Sequence, residues 1–147
     1  MNEVSTSRPT AIFPKAKSLG PRDWGEEILL VHAPGLYTLK KLILKAGKKG
    51  GLQYHRKKDE ATYILSGTLL VRYEDKDSNL IEKILEKGDF LHFPTGCIHQ
   101  EEAISDVVMI EVSTPFFNDR VRVESLFGQD IANYGLPSTT EDEIIEG

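Results

Sequence analysis

The chain reads as an all-β protein, a sandwich or jelly-roll barrel built as a single domain. Two observations carry that expectation. At least seven short apolar runs, rich in Leu, Ile, Val, Tyr and Phe, recur along 147 residues, and those residue types suit a pleated, half-buried surface. Breakers separate the runs at close intervals, which is the pattern of strands joined by turns.

Taken in order, the strands are expected at 27–31, 37–45, 62–65, 68–73, 80–85, 90–93 and 107–112. The interruptions are Ala33-Pro34-Gly35, Gly47 with Gly50-Gly51, Ser66-Gly67, Asp75–Asn79, Gly88-Asp89 and Pro94-Thr95-Gly96. Proline fixes φ and glycine reaches conformations other residues resist, so both mark turns. Only 116–127 and the stretch after it leave room for a helical turn. Residues 1–15, with Ser, Thr and Pro, read as a flexible arm, 16–136 as the folded domain, and 137–147 as an acidic, mobile tail.

Composition narrows the function. A chain of this length supports one domain with a real core. Its net charge of −5 argues against nucleic acid held by a generally basic surface. No apolar run approaches the roughly 18 residues of a membrane span. A single cysteine makes no internal disulfide and the N-terminus has no apolar secretory core, so the cytoplasm is the expected compartment. Charge is unevenly spread. Eight of the eighteen cations lie between Lys40 and Lys58, with no acidic residue among them. That cluster is either a solvated face or a positive rim drawing an anionic small molecule inward.

Two segments about thirty residues apart suggest a metal pocket. The first holds Gln53-x-His55-x4-Glu60 inside GLQYHRKKDEATYILSG, and the second ends GDFLHFPTGCIH at His99. Residues two apart on a strand share a face, so Gln53 and His55 are expected to point together. The turn through 57–59 folds Glu60 back beside them, and the Pro94-x-Gly96 turn aims His99. Two imidazoles, a carboxylate and an amide oxygen suit Zn, Mn, Fe, Co or Ni, and leave one or two positions open. Cys97 is expected to be a small buried thiol, His92 an outward or core residue, and His32 exposed. Trp24, Tyr63 and Phe93 are expected in the core or the pocket wall.

These segments resemble the two cupin motifs, the first running from Gly47 through Gln53, His55 and Glu60 to Gly67, the second through Gly88, Pro94, Gly96 and His99. The chain departs from the pattern at Gln53, where most cupins carry histidine, and at Ala103, where Asn is frequent. Gln53 makes the segment similar to the cupin domain of type II mannose-6-phosphate isomerases, as do Arg22–Gly25 and the stretch 119–124 followed by Phe127-Gly128. The resemblance implies a jelly-roll barrel, a divalent metal on Gln53, His55, Glu60 and His99, and isomerisation of an anionic sugar. It also implies a homodimer.

Carried over residue by residue, the resemblance makes Lys58 and Arg122 the groups that hold an anion, with Glu60 as ligand and possible base. Arg122 has an alternative role as a structural ion pair with Glu124 or Glu111. Lys58 stands where that family has Arg, and Gln129 where it has another. The same donor set also describes a non-haem iron oxygenase, or a small-ligand-binding cupin without turnover.

Overall fold

The computed structural model describes residues 7–131 and 135–147. Its strands are β1 (Lys17–Arg22), β2 (Gly25–Ala33), β3 (Tyr37–Leu44), β4 (Gln53–Tyr54), β5 (Glu60–Ser66), β6 (Leu69–Glu74) and β7 (Leu80–Leu85). They continue as β8 (Phe90–Phe93), β9 (His99–Ala103), β10 (Val107–Ser113), β11 (Phe116–Phe117), β12 (Val121–Arg122) and β13 (Ile145–Glu146). One sheet runs β1-β2-β3-β10-β5-β8 and a second β12-β4-β9-β6-β7, with every pairing antiparallel. The two sheets form the jelly-roll barrel expected from the turn spacing.

All seven expected strands are present: 80–85 and 90–93 match, 68–73 is shifted by one residue, 37–45 ends one residue earlier, and the other three extend beyond their apolar runs. The helical turn expected within 116–127 is a single 3-10 turn, Glu124–Phe127. The first six residues of the expected arm lie outside the described residues. Residues 7–15 are exposed and carry no strand or helix. The tail departs from its expected mobility. A second 3-10 turn, Glu141–Glu143, is capped by Thr140, and β13 pairs with β11 through Phe116↔Glu146 and Phe117↔Ile145. Two apolar residues, Ile144 and Ile145, give this acidic end a reason to return to the body.

Strand phase decides what lies inside. Along β3 the residues Thr38, Lys40, Leu42 and Leu44 are buried, and along β10 Val107, Met109, Glu111 and Ser113 are buried. Leu42 faces Met109, Lys40 faces Glu111 and Thr38 faces Ser113 across the pair. The inner face is therefore apolar at one end and polar at the other. The apolar end joins Ile64, Leu69, Val71, Leu85 and Phe93 in the main core. The polar end is where the expected ligands sit. A smaller cluster, Leu52, Ile98 and Val123, closes the base of the second sheet. Among the described residues no helix is long and apolar enough to cross a membrane.

Gly67 fixes the corner between β5 and β6. Its φ is +88°, and an added Cβ would lie 2.0 Å from the Asp106 carbonyl oxygen. Gly88 has a similar φ of +93° but open space around it. Gly88→Ala should therefore cost about 1–2 kcal/mol, the ordinary left-handed penalty. Gly67→Ala should cost clearly more, because backbone must move as well. Urea unfolding of the two variants checks this, and equal losses would mean the close approach at Gly67 is unimportant.

Candidate metal centre

The structure brings His55, Glu60 and His99 together at the polar end of the barrel. One ligand atom from each lies within 4.8 Å of the others. Glu60 opens β5 and is buried, and its Oε1 sits 3.2 Å from His55 Nε2 and 3.3 Å from His99 Nε2. His99 begins β9, and Gln53 is its cross-strand neighbour on β4, so both side chains share one face. His55 lies just beyond β4, outside regular strand, yet reaches the same point.

Each imidazole is oriented by its far nitrogen. His55 Nδ1 donates to the Asp119 backbone carbonyl, and His99 Nδ1 to the Cys97 carbonyl at 2.9 Å. Those bonds place a proton on Nδ1 and turn Nε2 toward Glu60, so that Nε2 is the nitrogen left for a metal, the usual support for a metal-binding histidine. Phe93 stacks on His99 with ring centroids 4.1 Å apart, restricting its rotation. The two motifs are also tied directly. Gly96 N–H donates to the His55 carbonyl at 2.9 Å, and the Thr95 hydroxyl to the Lys57 carbonyl at 3.1 Å.

Asp119 holds the loop between β4 and β5. Its carboxylate accepts the backbone N–H groups of Arg56 at 3.0 Å, Lys57 at 2.8 Å and Lys58 at 2.9 Å. Burial pushes this carboxyl up, but the three donors outweigh it and hold it below the ordinary aspartate value.

Charges around the triad are closely matched. Burial alone would raise the Glu60 carboxyl, yet Lys58 and hydrogen bonds from Glu111, His55 and His99 hold it far below its usual range. Lys58 Nζ is 3.6 Å from Glu60 Oε2. Burial works against the Lys58 charge, while Glu111, Glu60, Glu27 and Glu101 keep it protonated. Burial and the charge of Glu60 push Glu111 well up, so Glu111 is the protonated partner that donates to Glu60. Burial lowers His55, with Lys58 adding to it. His99 is also lowered by burial, but Glu60 overcomes this and raises it.

These groups line a cavity of about 440 Å³, within the range of small-molecule sites. Trp24, Leu42, Leu44 and Met109 form its apolar wall, and Gln53, Lys58, Glu101 and Glu111 its polar one. Donor chemistry fits a divalent ion of the borderline class, with two oriented imidazoles, an ionised carboxylate and a neighbouring amide. No thiolate takes part, since Cys97 is half-buried against the core and burial raises its thiol.

Of the residues expected to grip an anion, Lys58 is in the cavity. Arg122 is buried but does not line it, because its guanidinium is bound to the fully buried Glu124. The structure thus places Arg122 in the alternative role of a structural ion pair. His92 is exposed and pairs with Asp59 at 2.8 Å, His32 is exposed, and Tyr63 faces outward. Glu101 was not singled out from the sequence. It lies two residues after His99 on the same face of β9, and its Oε2 is buried with no partner among the described residues. Burial, then the charge of Glu60, pushes its carboxyl up to about 7. Glu111 has a readable signal as the one charged residue at an inward position of VVMIEVS.

The family described as "Cupin domain" matches residues 41–113, which span both ligand segments. The chain carries a cupin domain. Its curated relatives include a germin-like protein (subfamily 3 member 2) of Arabidopsis thaliana, 27% identical over 78 residues, covering 50% of this chain and 34% of that protein. Germin-like protein 2-4 of Oryza sativa subsp. japonica is 28% identical over 87 residues, covering 56% of this chain and 38% of that protein. The cupin chain therefore spans little more than a third of these relatives' length. Among solved structures, oxalate decarboxylase from Bacillus subtilis superposes with a TM-score of 0.68 at 18% identity, covering 99% of this chain and 46% of that one. KdgF from Halomonas sp. gives 0.58 at 18% identity, covering 66% and 84%. At these identities the structural likeness speaks for the fold.

Two outcomes test the centre. His55→Ala and His99→Ala should each remove most of the bound divalent metal, whereas His92→Ala should leave it unchanged. Elemental analysis of the purified proteins decides, and equal loss in all three would mean the ligand set is misplaced. Asp119→Asn should be destabilised in a pH-dependent way. The folded carboxyl titrates below the unfolded one, so its contribution is complete above the ordinary aspartate pKa of ~3.9. That contribution disappears as pH falls through the depressed folded value. Chemical unfolding across acid pH should show the gap to wild type narrowing, and a constant gap would place the loop's stability elsewhere.

Proposed function

We propose that this cupin is a metal-dependent aldose–ketose isomerase acting on a sugar or sugar phosphate, of the kind its resemblance to type II mannose-6-phosphate isomerases implies. The observation that carries the reading is the pairing of an oriented His55–Glu60–His99 triad with a separate carboxylate, Glu101, whose buried Oε2 has no hydrogen-bond partner among the described residues, in one small cavity. Isomerisation needs an electrophile at a substrate oxygen and a base that moves a proton between adjacent carbons.

Gln53, His55, Glu60 and His99 would hold a divalent ion, and when bound it supplies Lewis-acid polarisation of a carbonyl or hydroxyl oxygen. Glu60 is poorly placed as the base, because Oε1 faces both imidazoles and Oε2 faces Lys58. Glu101 has an oxygen to spare. Its Oε2 takes the proton from the carbon beside the carbonyl and returns it to the neighbouring carbon, while the hydroxyl proton passes to the former carbonyl oxygen. Lys58 keeps a positive charge beside the reacting oxygens, which favours the negative charge that develops there. The apolar wall of Trp24 and Met109 limits water around that charge.

The same reading includes a cytoplasmic homodimer. Support comes from the outer face of the six-stranded sheet, where Leu39, Tyr63, Phe90, Ile110 and Val112 form an apolar patch, with Phe90 77% exposed. A second copy is the partner this face suits. Phe90→Asp should convert the dimer to a monomer in light scattering, and an unchanged mass would remove this face from the interface.

Solvent-deuterium exchange tests the activity. Mannose 6-phosphate and fructose 6-phosphate should gain label at C1 or C2 with metal-loaded protein and not after chelation. Glu101→Gln should slow exchange by about 10²–10⁴, the usual weight of a general base, with metal content unchanged. No exchange by the wild type over a broad sugar panel would overturn the reading.

A further inference from the structure

The cavity carries a second set of charged groups at its rim, away from the triad. Arg22 closes β1 and Arg120 precedes β12 at the rim, the buried Lys40 of β3 lies further in, and all three line the cavity. Exposure marks the rim, since the Arg22 side chain is 22% accessible against 4% for Glu60. Among the described residues, one carboxylate forms ion pairs with them. Glu27 Oε2 accepts Arg22 Nη2 at 3.0 Å and Nε at 3.2 Å, and Glu27 Oε1 accepts Lys40 Nζ at 2.8 Å.

Arg120 is held differently. Its Nε donates to the Pro137 carbonyl at 2.8 Å and its Nη2 to Asn118 Oδ1 at 3.1 Å. Both acceptors are neutral, so they fix the plane of the guanidinium without forming an ion pair with it. Nη1 of Arg120 and Nη1 of Arg22 have no hydrogen-bond partner among the described residues. The other carboxylate near Arg120 is Glu143, whose Oε1 is already taken by Thr140. Burial and then the neighbouring Arg22 charge work against protonated Arg120, and Glu27 and Glu143 offset them only in part, so the two guanidiniums repel one another. Such a pair is relieved by an oxyanion, and planar two-pronged heads suit phosphate oxygens.

We propose that Arg120 and Arg22 form a phosphate-binding subsite at the rim of the cavity, gripping the phosphate of a substrate whose other end reaches the Gln53–His55–Glu60–His99 centre. The subsite deepens the isomerase reading and rests on it only for what lies at the far end of the ligand. It assigns the anion to a pair the cupin motifs do not contain, in place of Arg122. Phosphate is preferred to a carboxylate because two separate forks approach from different elements, and a tetrahedral group presents oxygens to both.

The test is calorimetric titration of the full chain with inorganic phosphate, with and without chelator so that binding at a metal is separated. Wild type should bind one phosphate after chelation. Arg120→Gln and Arg22→Gln should each weaken it roughly 10- to 100-fold, the loss of a charge-assisted hydrogen bond. Arg120→Lys should recover part of the loss. Lys57→Gln, which removes an exposed cation outside the cavity, should leave binding unchanged. Thermal melts confirm that the variants are folded, and the two arginines lie on separate elements, so one misfolded variant leaves the other decisive.

No phosphate binding by the chelated wild type overturns the subsite. So does an equal loss in Lys57→Gln, which would mean general electrostatic attraction, or acetate binding as tightly as phosphate. Phosphate binding that follows these expectations without any isotope exchange keeps the subsite and removes the isomerase. Exchange of neutral sugars without phosphate binding does the reverse.

Discussion

Burying the Glu60 carboxylate is the constraint around which the polar half of this barrel is organised. An ionised carboxyl taken out of water is costly unless several partners replace its hydration. Here His55 and His99 meet one oxygen, Lys58 the other, and Glu111 contributes a proton. Each partner needs its own support. Asp119 fixes the loop that carries both His55 and Lys58, and Phe93 and the Cys97 carbonyl fix His99. A divalent ion would take over much of the compensation that the imidazoles now provide, so the site is arranged for a positive charge at its centre.

The same strands serve as core and as site because their inner faces change character along their length. On β10 the inward series Val107, Met109, Glu111, Ser113 passes from apolar to polar without changing phase. β3 does the same in the opposite direction, through Thr38, Lys40, Leu42 and Leu44. Antiparallel register then brings like to like, Leu42 against Met109 and Lys40 against Glu111. The apolar half supplies the burial that keeps the barrel closed. The polar half contributes little to it, and depends on mutual pairing for its own stability.

Much of this was legible in the chain. Seven runs of β-forming residues between turn residues predicted seven strands that are present, since packing at the core selects those residue types. β9 is not among the seven apolar runs because HQEEA faces a polar cavity on one side and so shows no apolar alternation. β4 is too short to have a pattern, and β1 contains Gly20 and Pro21, which read as breakers. Metal-ligand spacing was readable because the turns that aim the ligands are themselves made of glycine and proline. Glu101 and Arg120 were not, because what distinguishes them is the kind of partner each has or lacks, and partners come from distant segments. The expected mobility of the tail failed for a related reason: two isoleucines in an acidic stretch say little until β11 is placed beside them.

Arg122 illustrates how a residue can matter to a site without touching its ligand. It pairs in register with Gln53, which in turn pairs with His99, so the three lie in one row across β12, β4 and β9. Its guanidinium packs over Gly51, where an added Cβ would lie 2.6 Å from Nε, and closes on Glu124 beneath. Val123 N–H donates to the Leu52 carbonyl at 2.8 Å, tying the same two segments through the backbone. A buried ion pair with one partner removed leaves a charge that the interior cannot solvate, at a cost of about 3–5 kcal/mol. The damage would fall first on the Gly51–Gln53 segment. An arginine that looks like an anion grip in sequence thus braces the segment that carries Gln53, and the proposed grip lies two residues earlier, at Arg120, whose hydrogen-bond acceptors are neutral.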